Sequence, residues 1–227
     1  MASKYKCSYC GKEFTKERTL QVHMCEPKRR FLQRDEKWVV NAFMVFQRFY
    51  QIHQHNAKLK TYEDFVKSPY YNAFVKFGRF IMHINPLYPE KYIDFVLKSK
   101  IKLDHWARDD LYETYLIEAL KSEPVEAALQ RSITTMMDWA NEQNAQWSDY
   151  FRLVNTNRAV QHIQQGKISP WLLLGCNAGK RMLKSFNDEQ LQMIERFINP
   201  SFWPSKLKSY PADHMLVQDT AKEAKIV

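Results

Sequence analysis

Four potential metal ligands lie within the first 25 residues of this 227-residue chain, and they constrain its N-terminus more than any other feature. Cys7 and Cys10 are separated by two residues, a gap that lets a tight turn present two thiolates to one metal ion. His23 follows Cys10 after twelve residues, the span of a short hairpin and most of a helix. A unit this small cannot bury enough apolar surface to fold without its metal. The spacing therefore predicts a zinc site.

The residues between these ligands resemble a known family. Phe14 and Leu20 lie where a small ββα unit needs apolar residues, and the pattern Cys-x2-Cys-x3-Phe-x5-Leu-x2-His resembles the C2H2 zinc-finger family over about one tenth of the chain. The resemblance implies a ββα fold and Zn²⁺ as cofactor. The family expects a fourth ligand three to five residues after the histidine, but positions 27–29 hold Pro, Lys and Arg. The remaining candidate makes this a C2HC variant with the ligands Cys7, Cys10, His23 and Cys25.

The His23-x-Cys25 spacing makes a prediction about the end of the finger helix. On a regular helix, residues two positions apart do not share a face. For both side chains to reach one metal ion, the helix has to tighten or unwind after His23. Pro27 favours an early end of this helix.

The finger also offers candidate contacts to nucleic acid. The helix positions with which C2H2 fingers read bases correspond to Lys16, Thr19 and Val22. Lys16 can contact guanine or a phosphate, whereas Val22 cannot hydrogen-bond to a base edge. One finger reads only about three base pairs, so we expect no sequence-specific regulation by this finger alone. Single fingers also serve as protein-docking modules, and this alternative stays open.

A basic segment follows the finger directly. It begins with Lys28-Arg29-Arg30, continues with Arg34 and Lys37, and can extend a phosphate-contacting surface. The alternative interpretation is a solvated helix start. The net charge of +9 and the pI of about 9.3 favour an anionic partner, most often nucleic acid. The predicted nucleic-acid contacts are Lys12, Lys16, Arg18, Thr19, Lys28, Arg29, Arg30 and Arg34.

The rest of the chain has the pattern of an all-helical protein. Apolar residues recur at helical spacing over residues 31–55, no strand-like alternation follows residue 27, and the chain contains only five glycines. We predict a mainly α fold, in which a small N-terminal ββα zinc finger precedes an all-helical body of roughly eight to ten helices. The predicted boundaries are 1–27 for the finger, 28–60 for the basic junction and long helix, and 61–227 for the all-helical domain.

The segment from Tyr70 to Ile81 interleaves aromatic and basic residues. Such a pattern can stack the bases of a single strand. It is also the pattern of a buried helix whose lysine and arginine side chains extend to water. We predict that most of these aromatic side chains belong to the core and that Tyr70 and Tyr71 are the most exposed.

The sequence contains no catalytic motif that we recognise. Gly175 to Arg181 partly matches a P-loop, but the gap between its glycines is one residue short, no Ser or Thr follows Lys180, and the preceding run favours a helix. Cys176 lies beside an apolar run, which favours a small buried residue over a nucleophile. We therefore predict no enzymatic activity. An enzyme whose active site the sequence does not reveal stays open as an alternative to a binding function.

Cysteine usage and hydropathy indicate a location. Three of the four cysteines lie in the finger, a pattern that favours metal binding in a reducing compartment over a disulfide framework. No signal peptide and no apolar run of about 18 residues is present. We therefore expect a soluble, cytoplasmic protein without a membrane partner.

The whole chain also resembles uncharacterised zinc-finger proteins of large tailed phages, through the finger, Cys25–Arg30, Ser68–Phe80 and Ile168–Trp171. Its basic, all-helical body is loosely similar in architecture to phage helicase-loading proteins, which bind forked DNA and single-strand-binding protein. We predict a zinc-binding, nucleic-acid-binding accessory protein, with DNA as partner, in phage DNA replication, recombination or transcription in the host cytoplasm. The alternative is an adaptor whose finger docks a polymerase, helicase or ribosome.

Overall fold

The computed structural model describes residues 5–54 and 58–226. Over these ranges the chain forms fifteen α-helices, two short 3₁₀ helices and one antiparallel pair of strands. The mainly α prediction is confirmed, although the body has more helices than expected. The chain divides into two compact units, Met1–Tyr112 and Glu113–Val227.

The first unit begins with β1 (Tyr5–Lys6) and β2 (Glu13–Phe14), in which Tyr5 pairs with Phe14 and Lys6 pairs with Glu13. The following elements are α1 (Glu17–Val22), α2 (Glu26–Leu32), α3 (Lys37–His53), α4 (Tyr62–Lys67), α5 (Tyr71–Ile84), α6 (Pro89–Lys98), a 3₁₀ helix (Leu103–His105) and α7 (Asp109–Ser122). The helix predicted over residues 31–55 starts only at Lys37, because the junction forms the separate helix α2; residue 55 lies outside the described ranges.

The core of the first unit is mainly aromatic. Phe46 of α3 and Phe74 of α5 pack edge to face with their ring centroids 5.4 Å apart, and Trp106 lies 5.8 Å from Phe74. Phe65 of α4 lies 5.1 Å from Phe46. Because such rings bury large apolar areas, this cluster contributes to the stability of the first unit.

The exposure of the two tyrosines at the start of α5 differs from the prediction. Tyr70 is 57% exposed, as expected, but Tyr71 is only 3% exposed. The ring of Tyr71 packs 4.7 Å from Phe65, and the guanidinium of Arg30 covers it at 4.4 Å. The pattern in the sequence places both residues at a helix start but does not reveal these distant neighbours.

Gly78 marks the closest approach of α3 and α5. A Cβ atom at this position would lie 2.9 Å from the backbone nitrogen of Ala42 and still closer to the carbonyl oxygen of Trp38. Since both neighbours are backbone atoms, no side-chain rotation can relieve the overlap. We expect Gly78→Ala to lower the free energy of unfolding by about 3 kcal/mol, despite the higher helix propensity of alanine. Urea denaturation measures the change, and an effect no larger than that of Lys76→Ala, an exposed position of the same helix, would contradict this packing.

The second unit contains the C-terminal part of α7 and the remaining helices. These are α8 (Val125–Gln143), a 3₁₀ helix (Trp147–Asp149), α9 (Tyr150–Leu153), α10 (Thr156–Gln164), α11 (Pro170–Gly175), α12 (Asn177–Leu183), α13 (Asp188–Ile198), α14 (Trp203–Ser209) and α15 (Pro211–Glu223). The apolar run Trp171–Leu173 is buried, and the Trp171 ring lies 5.8 Å from the ring of Trp203, so this run belongs to the core of the second unit. Cys176 separates α11 from α12, one of the interruptions that raise the number of helices.

A buried tyrosine–histidine pair lies in the second unit. The hydroxyl oxygen of Tyr150 and Nδ1 of His162 are 2.7 Å apart, and both residues are buried. Burial, followed by the positive charges of Lys167 and Arg158, lowers the pKa of His162 to about 4. The neutral imidazole is therefore the form that accepts the hydrogen bond of Tyr150 in the folded state.

The depressed pKa of His162 predicts a loss of stability in acid. Because the folded-state pKa lies below the unfolded value of about 6.5, the stabilisation is complete above about pH 6.5 and is lost as the pH falls towards 4, by about 3 kcal/mol in total. Urea denaturation at about pH 7 and about pH 4.5 measures the loss. We expect this loss of stability to be smaller in His162→Gln, because glutamine does not titrate. An equally steep pH dependence in that variant would contradict the assignment of the loss to His162.

Candidate metal centre

A tight turn between β1 and β2 places the first two ligands. The N–H of Cys7 donates to the carbonyl of Lys12 at 2.9 Å, and the N–H of Gly11 donates to the carbonyl of Cys7 at 2.9 Å. Gly11 has a φ of 76°, in the left-handed region that glycine adopts at low cost. The reversal of the chain at this turn brings the thiols of Cys7 and Cys10 to one side.

An extended segment places the other two ligands. Helix α1 ends at Val22, and His23 has φ and ψ of −66° and 120°, so the helix unwinds before the last ligand, as expected. Cys25 is also extended and forms the N-cap position of α2. Because alternate residues of an extended chain point to the same side, His23 and Cys25 can face one point. Pro27 lies in the first turn of α2, so it starts the next helix and does not end α1.

The four potential ligand atoms lie close together. The Sγ atoms of Cys7 and Cys25 are 3.9 Å apart, and Sγ of Cys10 is 3.3 Å from Nε2 of His23. All four ligand atoms lie within 4.8 Å of one another. A tetrahedral ion with ordinary sulfur and nitrogen bond lengths requires separations of about 3.5–3.8 Å. The cluster of three cysteines and one histidine therefore fits one metal ion.

Neighbouring groups support the imidazole and the metal-binding thiols. The ring of Phe14 lies 4.8 Å from the ring of His23, and Nζ of Lys28 donates to the carbonyl of His23 at 3.2 Å. Hydrogen bonds from the backbone N–H groups of Cys10 and Tyr9 lower the pKa of the Cys7 thiol. This favours the thiolate form that binds metal.

The pKa of the Cys10 thiol is shifted in the opposite direction to the pKa of the Cys7 thiol. The backbone N–H of Lys12 lowers the pKa of Cys10, but partial desolvation and the neighbouring thiols of Cys25 and Cys7 together raise it above its ordinary value. The thiols of Cys25 and Cys7 therefore oppose the ionisation of Cys10. A bound cation removes this conflict, because its charge stabilises all three thiolates.

The finger contacts helix α2 through an aromatic pair that the sequence analysis did not identify. Tyr9, between the first two cysteines, lies 5.4 Å from Phe31 of α2. Phe31 lies 6.4 Å from Tyr62 of α4, whose hydroxyl donates to the carbonyl of Arg30 at 2.8 Å. An exposed aromatic residue inside the metal-binding turn is the sequence signal that could have indicated this contact.

The predicted nucleic-acid contacts of the finger are all exposed. Lys12 follows the metal-binding turn, Lys16 precedes α1, and Arg18 and Thr19 lie on α1. Lys16, Thr19 and Val22 are spaced three residues apart and so lie along one side of the short helix. The structure therefore presents a mixed basic and apolar surface around α1.

The basic residues after the finger divide into two groups. Arg29 is exposed on α2, and Arg34 is exposed beyond it, with Nε 3.4 Å from a carboxylate oxygen of Asp35. Arg30 instead donates to the carbonyl of Val66 at 2.8 Å and to the carboxylate of Glu26 at 2.5 Å. Together with its contact to the Tyr71 ring, these bonds occupy Arg30 in packing α2 against α4 and α5. Unlike Arg29, Arg30 is not displayed for a partner.

The stretch that partly matches a P-loop has a structural role. Gly175 ends α11, so a helix precedes the stretch, as expected. The buried Sγ of Cys176 accepts a hydrogen bond from the N–H of Gly179 at 3.4 Å and caps α12. Burial raises the pKa of the Cys176 thiol, which makes it a poor nucleophile at neutral pH.

Among the described helices, none has both the length and the apolar character that crossing a bilayer requires. Comparisons with protein-family models, with curated proteins and with solved structures find no match.

Proposed function

We propose that this chain is a zinc-binding accessory protein that binds nucleic acid through its finger and helix α2. A set of three thiolates and one imidazole favours Zn²⁺, which forms tetrahedral structural sites with these ligands. Since Cys7, Cys10, His23 and Cys25 fill all four positions, no coordination position remains for a substrate. The ion would supply the folding free energy of the finger.

The observation that carries the proposal is the set of exposed cations beside the metal cluster. Lys16, Arg18 and Arg29 are exposed, and within the described part of the chain none of them forms an ion pair. Cations without a protein counter-charge can neutralise phosphates and release counterions from nucleic acid. Folding around the metal fixes Lys16 and Arg18 relative to one another, which lowers the entropy cost of binding.

The same surface favours binding without strong sequence preference. Val22, at the last base-reading position expected for a finger, is 75% exposed and offers no hydrogen bond to a base edge. We therefore expect DNA contacts that are mainly to the backbone. This property fits a role in replication, recombination or transcription that does not require a specific site.

Removal of the exposed cations tests the proposal. We expect the triple variant Lys16→Gln, Arg18→Gln and Arg29→Gln to weaken DNA binding about tenfold or more on every sequence, because three phosphate contacts are lost. The slope of log K against log salt should fall by about 0.9 per lost contact on duplex DNA and about 0.7 on single strands. Fluorescence anisotropy of the zinc-loaded full chain, titrated at several salt concentrations, measures both quantities.

The matched control removes the same charge elsewhere in the first unit. Lys76, Lys98 and Lys102 are exposed and lie outside the finger and α2. Their triple glutamine variant should retain most of the affinity. Equal effects of the two triple variants would show that only net charge matters and would contradict the placement of the site.

A protein-docking adaptor is the second candidate function. Val22 and Met24 are 75% and 58% exposed on the finger, where they could contact an apolar patch of a partner. In that case Val22→Ser with Met24→Ser would leave nucleic-acid binding unchanged. A protein that co-purifies with the wild type would then be lost from the variant.

A further inference from the structure

A cavity in the second unit combines an apolar wall with basic side chains. Its volume is about 460 Å³, and it is lined by Leu174, Lys180, Pro204, Leu207, Lys208 and His214. This volume lies within the range of about 300–1,000 Å³ that is typical of small-ligand sites. The cavity is therefore large enough to receive part of a nucleotide.

The two lysines of the cavity are available to an anion. Lys180 lies on α12 and Lys208 on α14, and both are exposed. Neither forms an ion pair with any residue in the ranges 5–54 and 58–226. The imidazole of His214, by contrast, is engaged, with Nε2 3.3 Å from the carbonyl oxygen of Gly175. The free cationic groups of this cavity are thus the two ammonium groups.

An exposed aromatic ring lies at the corner that joins two of the helices lining the cavity. Tyr210 connects α14 to α15 and is 52% exposed. Nζ of Lys206 lies 4.9 Å from the centroid of its ring and donates to the carbonyl of Lys121 at 2.6 Å. The N–H of His214 donates to the carbonyl of Tyr210 at 3.0 Å, so Tyr210 lies one turn before His214 at the start of α15. Tyr210 is therefore an exposed ring that lies between Lys208 and His214 in the sequence, two residues that line the cavity.

We propose that this surface is a second nucleic-acid site and that it binds unpaired nucleotides of a single strand. A base stacks on Tyr210, the neighbouring phosphates contact Lys180 and Lys208, and the apolar wall covers the sugar or an adjoining base. An exposed ring beside unpaired lysines is the combination with which proteins bind single strands without reading sequence. In a duplex the bases are stacked on one another and cannot use the ring. The inference rests on the proposed function for its class of ligand, but it uses none of the finger residues.

The test uses the zinc-loaded full chain and labelled oligothymidylate and oligouridylate, which distinguish DNA from RNA as the source of the strand. We expect Tyr210→Ala to weaken binding about five- to hundredfold and Tyr210→Phe to stay within about twofold, because phenylalanine retains the stacking face. The double variant Lys180→Gln and Lys208→Gln should lower the salt slope by about 1.4. Photo-crosslinking of an oligonucleotide that carries 5-iodouracil, followed by peptide mass spectrometry, should identify Tyr210.

The controls separate this site from the finger. Lys76→Gln with Lys98→Gln removes the same charge in the first unit and should change the salt slope less than the cavity variant does. If the finger variants weaken binding while the Tyr210 and cavity variants bind as the wild type does, without a crosslink at Tyr210, the second site is refuted and the proposed function stands. If the wild type binds neither oligonucleotide nor duplex DNA, the proposed function and the second site both fail.

Discussion

Replacement of Cys25 by serine is expected to abolish tight metal binding and to unfold the finger. Sγ of Cys25 lies 3.9 Å from Sγ of Cys7, and Cys25 is the fourth potential ligand of the cluster. Binding of a structural zinc ion contributes roughly 10–16 kcal/mol in small fingers at neutral pH. A finger with only two-residue strands and a six-residue helix has no other comparable source of stability. We therefore expect the zinc content to fall from about one ion per chain to near zero.

Metal analysis by mass spectrometry, with circular dichroism of the same sample, measures this effect. Cys176→Ser is the matched control, because it removes a thiol from the second unit and should retain the metal. A chelator should reproduce the Cys25→Ser result in the wild type. The finger should unfold, and the second unit should keep its helical signal in circular dichroism. A Cys25→Ser protein that keeps one tightly bound zinc ion would rule out Cys25 as a ligand.

Replacement of Glu123 by alanine is expected to destabilise the second unit by about 3 kcal/mol or more. The carboxylate of Glu123 is fully buried and accepts hydrogen bonds from Arg131 at 2.6 and 2.8 Å and from the hydroxyl of Ser169 at 2.8 Å. Arg131 also donates to the carbonyl of Gly166 at 2.6 Å. In Glu123→Ala, the guanidinium of Arg131 remains largely buried but has lost its counter-charge. Removing one partner of a buried ion pair destabilises a protein strongly, because the other charge is left uncompensated.

Urea denaturation of Glu123→Ala measures this cost. The control is Glu118→Ala, which removes an exposed carboxylate paired with Lys121 on α7 and should change stability by at most about 1 kcal/mol. Adding Arg131→Met to Glu123→Ala should recover part of the loss, because it removes the orphaned charge. Equal stabilities of the Glu123 and Glu118 variants would contradict the buried ion pair.

The metal cluster was predictable because its signal is local. Cys7, Cys10, His23 and Cys25 are close in sequence, and the mismatch between a two-residue spacing and a helical period required the unwinding found after Val22. The helical class of the body was predictable for the same reason, since periodicity is a property of neighbouring residues.

The roles of several other residues depended on partners distant in sequence. Arginine is a residue type that often contacts phosphates, but the guanidinium of Arg30 donates a hydrogen bond to the carbonyl of Val66, 36 residues away. Tyr71 is buried by Phe65 and Arg30, and Gly78 is required by the backbone at Trp38 and Ala42. Neither periodicity nor motif spacing contains such long-range contacts.

The cavity of the second unit illustrates the same limit. In the sequence, Lys180 belongs to an incomplete P-loop, and no local pattern connects it with Lys208 and Tyr210. Folding brings Lys180 of α12 and Lys208 of α14 to one cavity, while Tyr210 follows at the end of α14. Surface chemistry of this kind is evident only once the helices are placed.

The most direct test of the central claim is a binding titration of the zinc-loaded full chain. The probes are labelled single-stranded, duplex and forked DNA, and RNA, each at low and at physiological salt. We predict that binding persists at physiological salt, with a preference for probes that contain unpaired nucleotides. Binding that disappears at physiological salt and shows no preference among the probes would contradict a nucleic-acid-binding function and would favour the finger as a protein-docking module.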